Sequence, residues 1–169
     1  MAEIAIRQYE PSDLERCRML WEELTQAHKE IYDDLSIGGD KPGLYFDKHL
    51  SRVGPERIWV ADRDGEVIGM VGLIVEEQKT EVEPVVVTSG ERGKGIGKLL
   101  LDHVIEQAKK IGVRFLSIKP VARNTRAISL FHSLGFRMLG HIDMLMELQP
   151  PTEIKWKAGP ELFGRSFKY

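Results

Sequence analysis

The chain has 169 residues, 24 Lys and Arg against 26 Asp and Glu, and 42% hydrophobic residues. That length suits a single domain with an adequate core, and the near-neutral balance removes any overall electrostatic case for nucleic acid. The lone Cys17 excludes an intramolecular disulfide and a multi-cysteine metal site, and no apolar run is long enough for a membrane span, so a cytoplasmic, membrane-independent protein is expected.

Residues 3–9 alternate Ile4 and Ile6 with other side chains and read as a strand. Pro11-Ser12-Asp13, with Glu15 close behind, signals a helix start. Leu14, Cys17, Leu20 (or Trp21), Leu24 and Ala27 then recur at helical spacing to about residue 30, so Cys17 reads as a small buried side chain rather than a nucleophile. This helix and its following loop carry Glu22, Glu23, Glu30, Asp33, Asp34 and Asp40, with His28 and Tyr32 interleaved. They read as a solvated helix face or as an acidic rim that attracts a cationic amine. Residues 38–42 break the chain, and a short second helix covers 44–50. Residues 57–62 and 66–76 are two strands joined by Asp62-Arg63-Asp64-Gly65, since Asp-Gly between β-rich runs is a hairpin signal. Gln78-Lys79-Thr80 makes the next turn, and 81–88 forms a further strand.

That strand feeds Ser89-Gly90-Glu91-Arg92-Gly93-Lys94-Gly95-Ile96-Gly97-Lys98. Glycines at alternate positions let a backbone approach a bulky ligand, and the amides at the start of the following helix favour negative charge. With Arg92, Lys94 and Lys98 the stretch suits a diphosphate. A Walker loop is excluded, because Arg92 and Thr88 stand where its first glycine is required and neither Gly-Lys pair is followed by Ser or Thr. The spacing also fails the dinucleotide fingerprint. The helix over 93–111 presents Ile96, Leu100, Val104, Ala108 and Ile111 on one side, and Gly112 ends it. Residues 113–119 form a strand, 124–134 a helix ending at Gly135, and 136–148 a strand with Met144 and Met146 alternating. Pro150-Pro151 stops that strand. The tail carries Trp156, Leu162, Phe163, Phe167 and Tyr169, and a final strand is expected near 161–168.

Arg92-x-x-Gly95-x-Gly97 resembles the acetyl-CoA motif of the GNAT superfamily of N-acetyltransferases. Asn124-x-x-Ala127-Ile128-x-Leu130-Phe131-x-x-x-Gly135-Phe136 is similar to that family's second signature. The resemblance implies an α/β fold with a mixed, mostly antiparallel sheet flanked by helices, formed by residues 1–169 as one N-acetyltransferase domain. It also implies that the strands ending near Val87 and Lys119 are parallel neighbours that splay apart, so that a pantetheine arm pairs with the backbone of Val85 and Val87. Arg92, Gly93, Lys94, Gly95, Gly97 and Lys98 would hold the pyrophosphate of acetyl-CoA. Asn124 and Phe131 would line the cofactor side of the second motif. Pro84, which cannot donate to a ladder, marks a strand edge or a bulge.

The reaction implied is direct attack of an amine on the acetyl thioester, with no metal. An alkyl amine must lose a proton before or during attack. Glu81 stands roughly where the histone-acetylating branch carries its base, and Glu83 shares its strand face if the strand is regular. Many members carry a tyrosine that protonates the leaving thiolate where this chain has Phe131, which cannot. His132 is adjacent, but a one-residue step on a helix turns it well away. The missing acid makes a non-catalytic acyl-CoA-binding domain the alternative reading. The partner expected is an amine acceptor, a small molecule or a protein; the aromatic tail either covers the core or pairs with a second subunit, which makes a homodimer possible.

Overall fold

The structure is a computed structural model that describes residues 3–77, 79–149 and 156–169. In chain order the elements are β1 (Ile4–Gln8), α1 (Leu14–Tyr32), α2 (Leu44–Val53), β2 (Ile58–Arg63), β3 (Glu66–Glu76), β4 (Lys79–Val87) and α3 (Ile96–Ile111). β5 (Ser117–Ile118), α4 (Thr125–Ser133), β6 (Ala158–Leu162) and β7 (Arg165–Lys168) follow. Five strands form one sheet in the order β1-β2-β3-β4-β5, antiparallel except for the parallel β4–β5 pair, and β6–β7 is a separate hairpin.

Strand alternation divides the core between two faces. Ile58, Val60, Met70, Ile74 and Val86 project to one face, where Cys17 and Leu20 of α1 and Phe46 and Val53 of α2 cover them. Trp59, Ala61, Val71, Leu73 and Val82 project to the other, against Ile96, Leu100, Leu101, Val104 and Ala108 of α3. β3 lies at the centre and is buried on both faces, so its apolar run is nearly continuous. Burial pushes the Cys17 thiol up to about 12, which keeps it un-ionised, a small core side chain as the sequence indicated. Ile111, the last residue of α3, is 51% exposed and leaves the predicted apolar face. Among the described residues no helix is long and apolar enough to cross a membrane.

The sheet edge is tied to the start of α1 by one ion cluster. Arg7 of β1 grips Asp13 through two nitrogens, at 2.8 and 2.9 Å, and donates to Asp62 of β2, while the Glu10 amide donates to Asp13 at 2.8 Å. Burial alone pushes the Asp13 carboxyl up, but Arg7 and the amide outweigh it, and its pKa falls below the ordinary value. A depressed carboxylate pKa contributes stability that is present above the unfolded value and lost as pH falls through the folded one. Asp13→Asn is expected to cost about 1–3 kcal/mol at neutral pH. The gap to the wild type should close in acid, as read from urea midpoints at both pH values.

Three predicted strands differ from what is observed. Residues 136–148 form no ladder, although the sequence alternation predicted a strand there. Alternation is realised only beside a partner strand, and β5 pairs for just two residues, leaving no long edge to extend. Met138, Leu139, Met144, Leu145, Met146 and Leu148 are all exposed as a result. The expected strand at 161–168 is instead the hairpin β6–β7, because Phe163 and Gly164 both take positive φ, at 54° and 67°, and turn the chain back. β5 is also far shorter than the predicted 113–119. The stop at Pro150-Pro151, and part of the turn at residue 78, lie outside the described residues.

Candidate functional site

β4 and β5 pair only through Glu81 with Ser117 and Val82 with Ile118, and then they part. At the same place β4 gains a residue. Val82 faces Leu73 and Val85 faces Val71, which leaves Glu83 and Pro84, joined by a cis peptide bond, opposite Gly72 alone. Pro84 therefore sits in a bulge. The bulge breaks the alternation that would have put Glu81 and Glu83 on one face. Beyond it, the Thr88 amide bonds to the Ile68 carbonyl, so Val86 and Thr88 are tied to β3. Val85 and Val87 turn their backbone groups to the side that β5 has left. Gly72 makes the close approach possible: a Cβ there would lie 2.4 Å from the Glu83 carbonyl oxygen and 3.1 Å from His49 Nε2.

The turn after β4 is anchored from both sides. Glu91 takes Arg63 at 2.8 Å and Lys94 at 3.2 Å. Glu23 of α1 accepts from the Thr88 hydroxyl at 2.7 Å and the Ser89 amide at 2.8 Å. Burial pushes Glu23 up, but these donors outweigh it, so its pKa is lowered and it stays charged. Glu23 is thus a brace between α1 and the glycine loop, and the acidic rim divides. Asp34 turns onto Ser36, while Glu22, Glu23, Glu30 and Asp40 border a hollow of about 590 Å³ together with Lys29 and Arg92. Gly93 and Gly95 have φ of 84° and 87°. The Leu99 amide bonds to the Gly95 carbonyl at 3.1 Å, so the amides of residues 96–98 belong to the first turn of α3, which offers them no carbonyl.

These pieces enclose an open cleft of about 750 Å³ between α1, the end of β4, the glycine loop and α4. Val85, Val87, Arg92, Gly93, Gly95, Gly97, Lys98, Asn124 and Phe131 all stand on its walls. Lys94 does not, being paired with Glu91, and neither do Glu81 and Glu83. Glu81 is 3% exposed and meets Lys119 at 3.2 Å, bridging β4 to the chain beyond β5 where the strands part. Arg92 Nε donates to the Val87 carbonyl at 2.9 Å, and Lys98 pairs with Asp102. Asn124 caps α4 by accepting from the Ala127 amide at 3.1 Å. Phe131 is buried against Phe136, whereas His132 on the next position is exposed and turned from the cleft.

Sequence reasoning set the paired N-terminal helices over a cleft but did not name the residues of its roof. Leu24, Ala27, His28 and Ile31 of α1 form one wall of the cleft, and Arg123 joins that wall to the loop before α4. Arg123 is buried, stacks 4.7 Å from the Tyr32 ring and donates to the Tyr32 carbonyl at 3.2 Å. In the sequence Arg123 is one of four basic residues between positions 114 and 126, with nothing to set it apart from the others. Burial holds His28 below its ordinary pKa, with no hydrogen bond or nearby charge contributing. The walls suit coenzyme A: helix-start amides and cations for a pyrophosphate, open glycine surface beside them, and a strand edge at Val85 and Val87 that turns its backbone toward the gap β5 has left, for an amide-bearing arm.

Comparison with known proteins agrees with this geometry. Residues 17–136 match the acetyltransferase (GNAT) family. The chain is 38% identical over 87 residues to an N-acetylaspartate synthetase of Rattus norvegicus, covering 50% of this chain and 29% of that protein. It is 31% identical over 105 residues to an uncharacterized N-acetyltransferase of Escherichia coli, covering 53% and 63%. The chain therefore spans less than two thirds of either relative. The crystal structure of a ribosomal-protein-alanine N-acetyltransferase from Brucella melitensis superposes with a TM-score of 0.61 at 27% identity, covering 80% of this chain and 86% of that one.

Proposed function

The chain belongs to the acetyltransferase (GNAT) family, and on that premise we propose that it transfers the acetyl group of acetyl-CoA to a primary amine by direct attack. The observation that supports this reading most is the parting of β4 from β5 at the bulge, directly upstream of a glycine loop that opens α3. Arg92, Lys98 and the amides of the loop bind the pyrophosphate. Val85 and Val87 orient the pantetheine arm through their backbone. When bound, acetyl-CoA supplies an activated acyl carbon and a thiol leaving group. Phe131 gives the sulfur an apolar wall and no proton, and a thiol pKa of about 8.5 makes the thiolate a good leaving group. Glu81 holds the closed end of the splay through Lys119.

The test is thiol release from acetyl-CoA against a panel of amino acids, polyamines, aminoglycosides and peptides. Turnover with one amine class is the expected result, and it names the acceptor at the same time. CoA binding with no turnover across the whole panel would overturn the transfer reading in favour of a non-catalytic acyl-CoA-binding domain.

A further inference from the structure

The cleft needs a group that accepts a proton from the attacking nitrogen, and its walls offer few. Arg92, Lys98, Arg123 and Arg126 are cations throughout the physiological range. Glu91 is committed to Arg63 and Lys94, and Glu30 is exposed at the mouth. β4 presents only Val85, Val86 and Val87. Glu81 is engaged with Lys119, and neither it nor Glu83 reaches the walls. What remains is the imidazole of His28, half-buried on the α1 wall of the cleft that Val85 and Phe131 also line.

We propose that His28 is the catalytic base of this cleft, placed on α1 where the parted strands leave room for the reacting amine. The proposal rests on the acetyl-transfer reading above. An alkyl ammonium first gives one proton to water. His28 then accepts the second as the nitrogen bonds to the acyl carbon and the carbon–sulfur bond opens onto sulfur, and the imidazolium returns that proton to sulfur. Atoms and charge balance, with no further reactant. Burial holds the ring below its ordinary pKa and so favours the neutral form, which is the state a base requires. The acid function absent at Phe131 is supplied by the same ring in its protonated form.

Two measurements test this. In the full chain, ¹³C-labelled histidine Cε1 signals are followed by NMR from pH 4 to 8 with and without CoA, and His28→Gln assigns the signal. The His28 signal should titrate below its ordinary value of about 6.5 and move when CoA is added. In the second, kcat/KM for the amine found in the panel should rise with pH through the His28 titration. His28→Gln should flatten that limb and lower kcat by about 10²–10⁴-fold while still binding CoA. A His28 signal unmoved by CoA, or an acidic limb that survives His28→Gln and vanishes in Glu83→Gln, would overturn the assignment. Failure of the wild-type chain to bind CoA strikes the acetyl-transfer reading itself, so the two failures are distinguishable.

Discussion

Gly95→Val is expected to lower CoA affinity by about 10²–10³-fold while leaving a folded protein. Gly95 stands at the N-cap of α3 with φ of 87°, in a region that L side chains avoid at a cost of about 1–2 kcal/mol. Nothing lies within 4 Å of a Cβ built there, so a side chain is not crushed against the fold but enters the open space beside the loop. That space is where the pyrophosphate would meet the amides of residues 96–98. Losing one or two charge-assisted hydrogen bonds at about 1.5–3 kcal/mol each accounts for the expected drop. Gly95→Ala carries the same backbone cost with little bulk, so calorimetric titration of CoA into both variants separates strain from obstruction. Valine should lose several-fold more affinity than alanine. Equal losses would assign the effect to the backbone and remove the loop from the binding surface.

Gly72→Ala is expected to destabilise the fold by about 2–3 kcal/mol, close to the upper end for overpacking. The new methyl would meet the Glu83 carbonyl at 2.4 Å and His49 Nε2 at 3.1 Å. The first contact is with backbone and cannot be relieved by rotating a side chain. His49 is itself boxed in, with its ring 5.3 Å from that of Trp21 and its pKa lowered to about 4, chiefly by burial and further by Arg52. Relief therefore has to come from β4 moving off β3 at the bulge, which also disturbs the splay. Thermal unfolding should show Tm lower by roughly 5–10 °C for a chain of this size. Gly140→Ala, where a Cβ meets nothing within 4 Å, serves as the control and should change little.

The parts of the fold set by local patterns were legible in the sequence. Asp-Gly placed the β2–β3 hairpin, the apolar stripe from Ile96 to Ala108 placed α3, and Asn124 marked the start of α4 through its side-chain cap. Pro84 flagged the bulge because a proline cannot serve a central ladder. Its partner Gly72 carried no comparable signal: it reads as one more small residue in an apolar strand until the register places it against Glu83. Features that depend on long-range contact were out of reach in the same way. His28 was one polar residue in an acidic helix, and only the crossing of α1 over the end of β4 turns it into a cleft wall. Glu23 read as a rim acid, yet Thr88 and Ser89, more than sixty residues away, convert it into a brace. The strand expected at 136–148 had the right alternation and lacked only a neighbour, which no local pattern reports.

The central claim is that the cleft between the parted strands and α3 binds coenzyme A, and calorimetric titration of CoA into the wild-type chain tests it most directly. The account predicts saturable one-to-one binding that Gly95→Val weakens by about 10²–10³-fold. Absence of binding, or binding that Gly95→Val leaves intact, would contradict it.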